Sequence, residues 1–245
     1  MRTGGNAFDS IMETRLQFDI QPQPDETTCG PTCLHAVYNY YDDRASLPDV
    51  IHETPKLEEG GTLAAFLAGH ALRRGYNTTI YTYNLKVFDP TWFMPEAPEM
   101  PERLRARLEH KRSPKLRRAI KAYLDLLEHG GTVRFQDLTA KLIESYLVKG
   151  IPILTGLSST YLYRCAREYG PNADYDDVRG DPAGHFVVLC GYDKKSKEIL
   201  VADPLLPNPF TEDHYYQVNI ERVICAILLG VLTYDANLLV IQPKA

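Results

Sequence analysis

No stretch of this sequence stays apolar for long. The longest candidate, Val223 to Leu232, falls short of the ~18 apolar residues a membrane helix needs and reads as core. Met1–Phe8 carries no apolar run of signal-peptide length. These absences predict a protein without a membrane span. The cysteines are few and unpatterned: residues 29, 33, 165, 190 and 225 include no CxxC pair and no even-numbered framework. A disulfide scaffold is therefore not expected, and a reducing cytoplasm is the natural compartment. Cys33 follows Cys29 by one helical turn, which leaves a disulfide or half a metal site open, but no His/Cys pair at ligand spacing completes a zinc site. Positive charge is not in excess either. A formal net charge of −5 argues against general affinity for nucleic acid. Repeats and low-complexity segments are absent. Gly156–Thr160 lacks the closing glycine of a hydrolase nucleophile elbow. Arg164–Pro182, despite Asp174, Asp176, Asp177 and Asp181, lacks the spacing of a calcium loop. No metal and no cofactor are implied.

What is present is an ordinary soluble composition, 44% hydrophobic and 24% charged, over 245 residues, enough for one large domain or two small ones. Against that background Gln23–Leu34 stands out. Cys29 directly precedes Gly30-Pro31, and apolar positions recur at Leu34, Val37, Tyr38 and Tyr41. The spacing predicts a short amphipathic helix, with Pro31 in the first turn, where a missing N–H costs no helical bond. Cys29 is thereby placed at a helix N-terminus, a setting that favours a thiolate. A lone cysteine there is more often a buried structural residue. Gln23, six residues upstream, carries an amide N–H that can reach an oxyanion beside the sulfur. Gln21 is the alternative donor.

The chemistry that separates these readings lies far downstream. Gly184–Tyr192 and Ile199–Pro204 hold apolar runs of strand length joined by the polar turn Asp193–Lys197, a hairpin signal. His185 opens the first strand and Asp203 closes the second, so both fall at one end of the pair. Cysteine, histidine and an orienting aspartate, with a glutamine before the cysteine, are what a thiol acyl-transfer enzyme needs. Asp193 and Asp181 are alternative orienters.

On these residues the chain resembles the bacteriocin-processing, double-glycine leader cysteine peptidases and their stand-alone relatives, C39-like members of the papain-like superfamily. The resemblance rests on Gln23, Thr28-Cys29-Gly30-Pro31, Gly61-Thr62, Gly184–Val188 and Asp203-Pro204, and covers roughly residues 14–84 and 135–243, with 85–134 as an insertion. It implies an α+β, papain-like fold: an N-terminal helical part headed by Cys29, packed on an antiparallel sheet, in one domain over 1–245. Independently of the resemblance, the Gly/Asn/Ser-containing N-terminus predicts disorder over residues 1–12. It also implies a catalytic set of Cys29 as nucleophile, His185 as base and acid, Asp203 as orienter and Gln23 as oxyanion donor. The expected function is hydrolysis of a peptide or amide bond through an acyl-enzyme. An amidase, isopeptidase or amide-forming acyltransferase uses the same machinery, and a non-catalytic binding module of that fold is the alternative of another class. Leader-clipping relatives sit at the front of an ABC transporter, a domain this sequence does not contain, so the substrate stays open.

Remaining expectations are local. Alternation at Leu16, Phe18 and Ile20 predicts a strand over Arg15–Ile20. Helices are predicted near Leu47–His52, after a capping Thr62 up to Gly75, over Leu138–Val148 and over Glu221–Leu228. Strands are predicted over Tyr76–Tyr83, Gly150–Leu154, Tyr215–Ile220 and Leu238–Gln242. Cys165, Cys190 and Cys225 read as inert core, and His70 as a partly buried or surface imidazole. In the insertion, Pro90, Pro95, Pro98 and Pro101 predict an extended connector into two helices, the second capped by Ser113 and closed by Gly130-Gly131, forming a discrete arm. Between Arg103 and Lys121 nine basic residues face one acid, Glu109, a local +8 on an acidic protein. That is a solvated face, a docking surface for an acidic protein partner, or a lid over the cleft.

Overall fold

The computed structural model describes residues 13–58 and 60–244, so the predicted disorder of the first twelve residues falls outside the described residues. The chain enters through β1 (Thr14–Arg15), paired antiparallel with Gly191 and Tyr192. The strand predicted to Ile20 ends early. Phe18 and Ile20 are buried from an irregular segment and pack beside the next helix, the Phe18 ring 5.8 Å from that of Tyr40. Their alternation reflects burial, not a ladder.

Helix α1 (Cys29–Tyr40) starts at Cys29, with Pro31 in its first turn. The predicted apolar stripe is present, but burial runs round the whole cylinder: every residue from Cys29 to Tyr38 is buried. This is a central helix rather than an amphipathic surface one. Helix α2 (Leu47–Glu53) is capped by Ser46, whose side chain accepts from the Asp49 N–H. Thr62 does not cap α3 (Ala64–Arg73); its hydroxyl donates to the Pro55 carbonyl at 2.8 Å, and Leu63 occupies the cap position without a side-chain bond. Gly75, at φ +91°, closes that helix into β2 (Tyr76–Thr82). His70 is fully buried rather than half-exposed, between the Tyr38 hydroxyl (2.7 Å to Nδ1) and Glu53 (3.1 Å to Nε2).

The proline-rich connector contains one short 3₁₀ turn, Pro90–Phe93, and leads to α4 (Met100–His110) and α5 (Pro114–Glu128), the latter capped by Ser113 as expected. Leu116, Ile120, Tyr123 and Leu124 of α5 are buried in the same core as α1 and α3, as is Leu104 of α4. These helices are packed elements rather than a free arm, because their apolar stripe finds its partner on α3. Part of the basic surface holds them there. Arg105 pairs with Glu128 at 2.7 Å, Arg107 donates to the Lys86 carbonyl, and Arg117 donates to the Leu108 and Lys111 carbonyls that α4 leaves open at its C-terminus.

Strand β3 (Thr132–Arg134) then runs parallel to β2, and α6 (Ala140–Leu147), capped by Thr139, leads into the buried β4 (Ile153–Ser158). A short helix, α7 (Ser159–Tyr163), follows. The segment predicted as a polar loop contains a small hairpin, β5 (Glu168–Tyr169) with β6 (Asp174–Tyr175). The predicted hairpin is β7 (Gly184–Asp193) with β8 (Glu198–Ala202), and β9 (Tyr215–Asn219), α8 (Ile220–Leu229) and β10 (Asn237–Pro243) complete the chain. The main sheet runs β3-β2-β10-β4-β7-β8-β9, antiparallel except for the β2–β3 edge, with β1 also on β7.

The class is α+β, as expected, with helices on both sheet faces. Alternate side chains of β7 divide between them: Val188 and Cys190 join the core under α1, α3 and α5, while Val187 and Leu189 join that under α6 and α8. Cys190 is buried as predicted. Cys225 is not: α8 buries Val223, Ala226 and Ile227, which turns Cys225 to solvent, and Cys165 is half-buried.

Candidate active site

The approach to Cys29 is a tight turn built by short polar side chains. Asp25 Oδ1 accepts from both the N–H and the hydroxyl of Thr27 at 2.7 Å, and the Thr28 hydroxyl donates to the Asp25 carbonyl at 2.9 Å. The turn delivers Cys29 to the first position of α1, where backbone N–H groups lack helical partners. Gly30 is required by proximity. A Cβ there would lie 2.6 Å from the Thr62 methyl and 3.2 Å from the Phe186 ring. One turn on, the Cys33 thiol donates to the Phe186 carbonyl at 3.2 Å. Cys33 is thus a strut between α1 and β7, and its thiol is free, as is that of Cys29. Burial and the neighbouring Cys29 and Asp203 push the Cys33 pKa far up, so it stays a thiol.

Phe186 is followed back along β7 by His185, which packing of α1 onto this strand brings against Cys29. The His185 ring interacts with the Cys29 side chain, which favours its charged form, and its Nε2 lies 2.8 Å from Asp203 Oδ1. With Nε2 on the aspartate, Nδ1 is the nitrogen left for sulfur. Asp203 is wholly buried just beyond β8, and its carboxylate is fully engaged. Oδ1 also accepts from the Leu205 N–H at 2.9 Å, while Oδ2 accepts from the Tyr163 hydroxyl and from the Tyr216 hydroxyl at 2.8 Å. Burial alone would raise the Asp203 pKa, but the His185 charge and these donors hold it below the usual carboxylate range. For His185 burial again opposes the charged form; the Asp203 anion, its hydrogen bond and Cys29 outweigh it and push the pKa up to about 10.

The two tyrosines had no signal of their own in the sequence. Tyr216 is an inward position of β9, and Tyr163 belongs to a five-residue helix that no periodicity announces. The alternative orienters lie elsewhere. Asp193 caps the hairpin turn, accepting from the N–H groups of Lys195 and Ser196, and Asp181 is tied by backbone bonds to Glu168. Gln23 sits at the site, with its Nε2 donating to the Asp25 carbonyl at 2.9 Å and its Oε1 buried without a partner. Gln21 is exposed.

A cleft of about 480 Å³ opens over His185, and Gln23 lines it. The segment between α7 and β7 forms one wall through Cys165, Glu168 and Tyr175, as its position before His185 suggested, and the proline-rich segment after Asp203 forms another through Pro207 and Asn208. Burial, with the nearby Glu26 charge, raises the Glu168 pKa. At the mouth Gly184 is required: a Cβ would sit 2.0 Å from Oδ2 of the buried Asp235, whose own pKa burial raises to about 7. Among the described residues no cluster of three or more His, Cys, Asp or Glu side chains could hold a metal ion, and no helix is long and apolar enough to cross a membrane.

Residues 111–223 match the model of the Peptidase_C39 like family. Over that stretch, which is under half of the chain, the sequence resembles C39 peptidases. The C39-like region includes His185, Asp203 and both tyrosines, and ends before α8 is complete; Cys29 lies outside it. No curated protein matches. Three solved structures are similar to this chain. A double glycine motif protease from an AMS/PCAT transporter, in complex with its leader peptide, is 15% identical with a TM-score of 0.46 over 95% of this chain and 96% of that one. The peptidase domain of Streptococcus ComA, a bi-functional ABC transporter of a quorum-sensing pathway, is 14% identical, TM-score 0.43, over 93% and 99%. Xylellain, a cysteine protease from Xylella fastidiosa, is 17% identical, TM-score 0.49, over 95% and 86%.

Proposed function

We propose that this chain is a thiol hydrolase that cleaves a peptide or amide bond through an acyl-enzyme on Cys29, all of it within one domain spanning residues 1–245. The observation that carries the reading is the buried His185–Asp203 pair, 2.8 Å apart, beside a Cys29 that heads a helix. An imidazolium held by Asp203 stabilises a thiolate beside it. The thiolate attacks the carbonyl carbon, His185 gives its proton to the leaving amine, and water enters against the same base to release the acid. The backbone N–H of Cys29 and the side chain of Gln23 are the oxyanion donors. Gln23 reaches that role through the N–H not held by Asp25, or by turning its amide.

Asp203 acts through His185. Its buried, four-donor setting keeps it ionised, fixes the ring and disfavours any other tautomer. Tyr163 and Tyr216 are positioning residues for that carboxylate. The peptide complex reported for one structural neighbour is consistent with a peptide substrate here.

The test uses a fluorogenic peptide-amide library with the purified protein, followed by acid quench and intact mass. Turnover with a transient acyl adduct on Cys29, abolished in Cys29→Ala, is the expected result. No adduct and no turnover across the library, with the protein folded, would favour a non-catalytic module.

A further inference from the structure

A second groove lies at the basic helices, apart from the cleft at His185. It runs between α3 and α5, closed on one side by the 55–58 segment, with a volume of about 720 Å³, and shares no lining residue with the cleft. Its floor is apolar, with Leu57, Phe66 and Ala122. Its rim carries Arg112, Arg118 and Lys121 among six cations, against the carboxylates of Glu58 and Asp125, and Asp125 already pairs with His129 at 3.3 Å.

The cations of this helical pair divide into two groups. Arg105, Arg107 and Arg117 are consumed in holding α4 and α5 in place. Arg118 spans both roles, donating to the Lys56 carbonyl at 2.6 Å while its guanidinium lies 5.7 Å over the Phe66 ring. Arg112 and Lys121 are exposed and have no carboxylate partner among the described residues. The structural work of the basic stretch therefore does not account for its charge at the groove. A protein of net charge −5 concentrates cations around one apolar floor. A volume of about 300–1,000 Å³ is what a drug-sized ligand fills, so the floor takes apolar side chains and the rim takes anions beside them.

We propose that the α3–α5 groove binds an acidic segment of a separate protein, anchored by one or two apolar side chains on Leu57 and Phe66 and held by Arg112, Arg118 and Lys121. Nucleic acid fits the surface less well, because it brings anions but no aliphatic anchor for Leu57 and Phe66. The groove and the cleft share no lining residue, so the site is distinct from that of the reaction. The inference is independent of the catalytic reading.

The experiment uses the full chain carrying Cys29→Ala, so that the probe is not consumed whichever way the catalytic reading falls. A dye-labelled dodecapeptide of Glu interspersed with Leu and Phe is titrated by anisotropy. Matched peptides have Lys for Glu, or Ser for Leu and Phe, and a single-stranded oligonucleotide is the competitor. The acidic, apolar peptide is expected to bind, and raised salt to weaken it several-fold by screening. Arg112→Glu with Lys121→Glu, both on exposed side chains, is expected to weaken it at least ~10-fold, about 1.4 kcal/mol, and Arg112→Ala with Lys121→Ala by less. Circular dichroism checks that both variants are folded. Equal binding of the Lys or Ser peptide, displacement by the oligonucleotide at lower concentration than by unlabelled peptide, unchanged affinity in the folded variants, or no binding at all would overturn the proposal.

Discussion

Asp203 is where residue-level physics is most concentrated. A carboxylate with no exposure survives as an anion because His185, the Leu205 N–H, Tyr163 and Tyr216 all donate to it. Replacing it by Asn removes the anion and leaves burial as the dominant influence on His185, which lowers an imidazole pKa. Wild-type turnover should therefore keep its imidazolium up to an alkaline limb at about pH 10. Asp203→Asn should lose most activity, with the limb displaced below the ordinary histidine value of 6.5. Asp193→Asn, in an exposed turn, should leave the profile alone. A pH–rate series on the three proteins checks this. Tyr216→Phe should fall between them, costing roughly 1.5–3 kcal/mol, the usual worth of a hydrogen bond to a charged group, in stability or in kcat/KM. An unchanged melting temperature and unchanged kcat/KM would show that Tyr216 does not support the carboxylate.

At the scale of elements, the site depends on α1 packing against β7 and the Thr62 segment, and Gly30 is what permits that contact. Gly30→Ala would gain helix propensity, roughly 1 kcal/mol. It would also press its methyl to 2.6 Å of the Thr62 side chain. Overpacking of this kind costs typically 1–3 kcal/mol, and relief by outward movement of the helix would carry Cys29 away from His185. Activity should fall by more than thermal stability does. Equal and small effects on both would contradict the close-approach account.

The same element shows what the sequence could and could not convey. The N-terminus of α1, the hairpin carrying His185 and Asp203, the Ser113 cap and the α5 stripe were all legible, because each has a local signal: a cap, a period or a turn. The burial of α1 on every side was not, since Thr32, His35 and Ala36 break no rule of an amphipathic helix and are covered by other elements packed around it. Tyr163, Tyr216 and the docking of α5 on α3 are likewise long-range facts. They become visible only once the sheet order is known, and periodicity carries no information about order. The Phe18 and Ile20 alternation misled because two buried side chains on an irregular segment mimic one strand face.

For the whole molecule, packing of α1 on β7 brings together Cys29 and His185 from chain segments more than 150 residues apart, while the His185–Asp203 pair ties the neighbouring strands of one hairpin electrostatically. The sign of its contribution to stability follows from the two shifts. His185 is raised, so its share is complete below 6.5 and is lost as pH climbs through about 10; Asp203 is lowered, so its share is complete above the ordinary carboxylate value and lost in acid. Melting temperature should be greatest in the mildly acidic range between those limits. That maximum should flatten in Asp203→Asn.

The central claim is that Cys29 and His185 work as a coupled pair. Iodoacetamide labelling across a pH series, followed for each cysteine by peptide mass spectrometry, tests it most directly, with exposed Cys225 as the internal reference and buried Cys33 and Cys190 as silent controls. Cys29 is expected to react ahead of Cys225 at pH 6 despite its 7% exposure, and to lose that lead in His185→Ala. Labelling of Cys225 before Cys29 in the native protein, or a Cys29 lead that survives the loss of His185, would contradict the account.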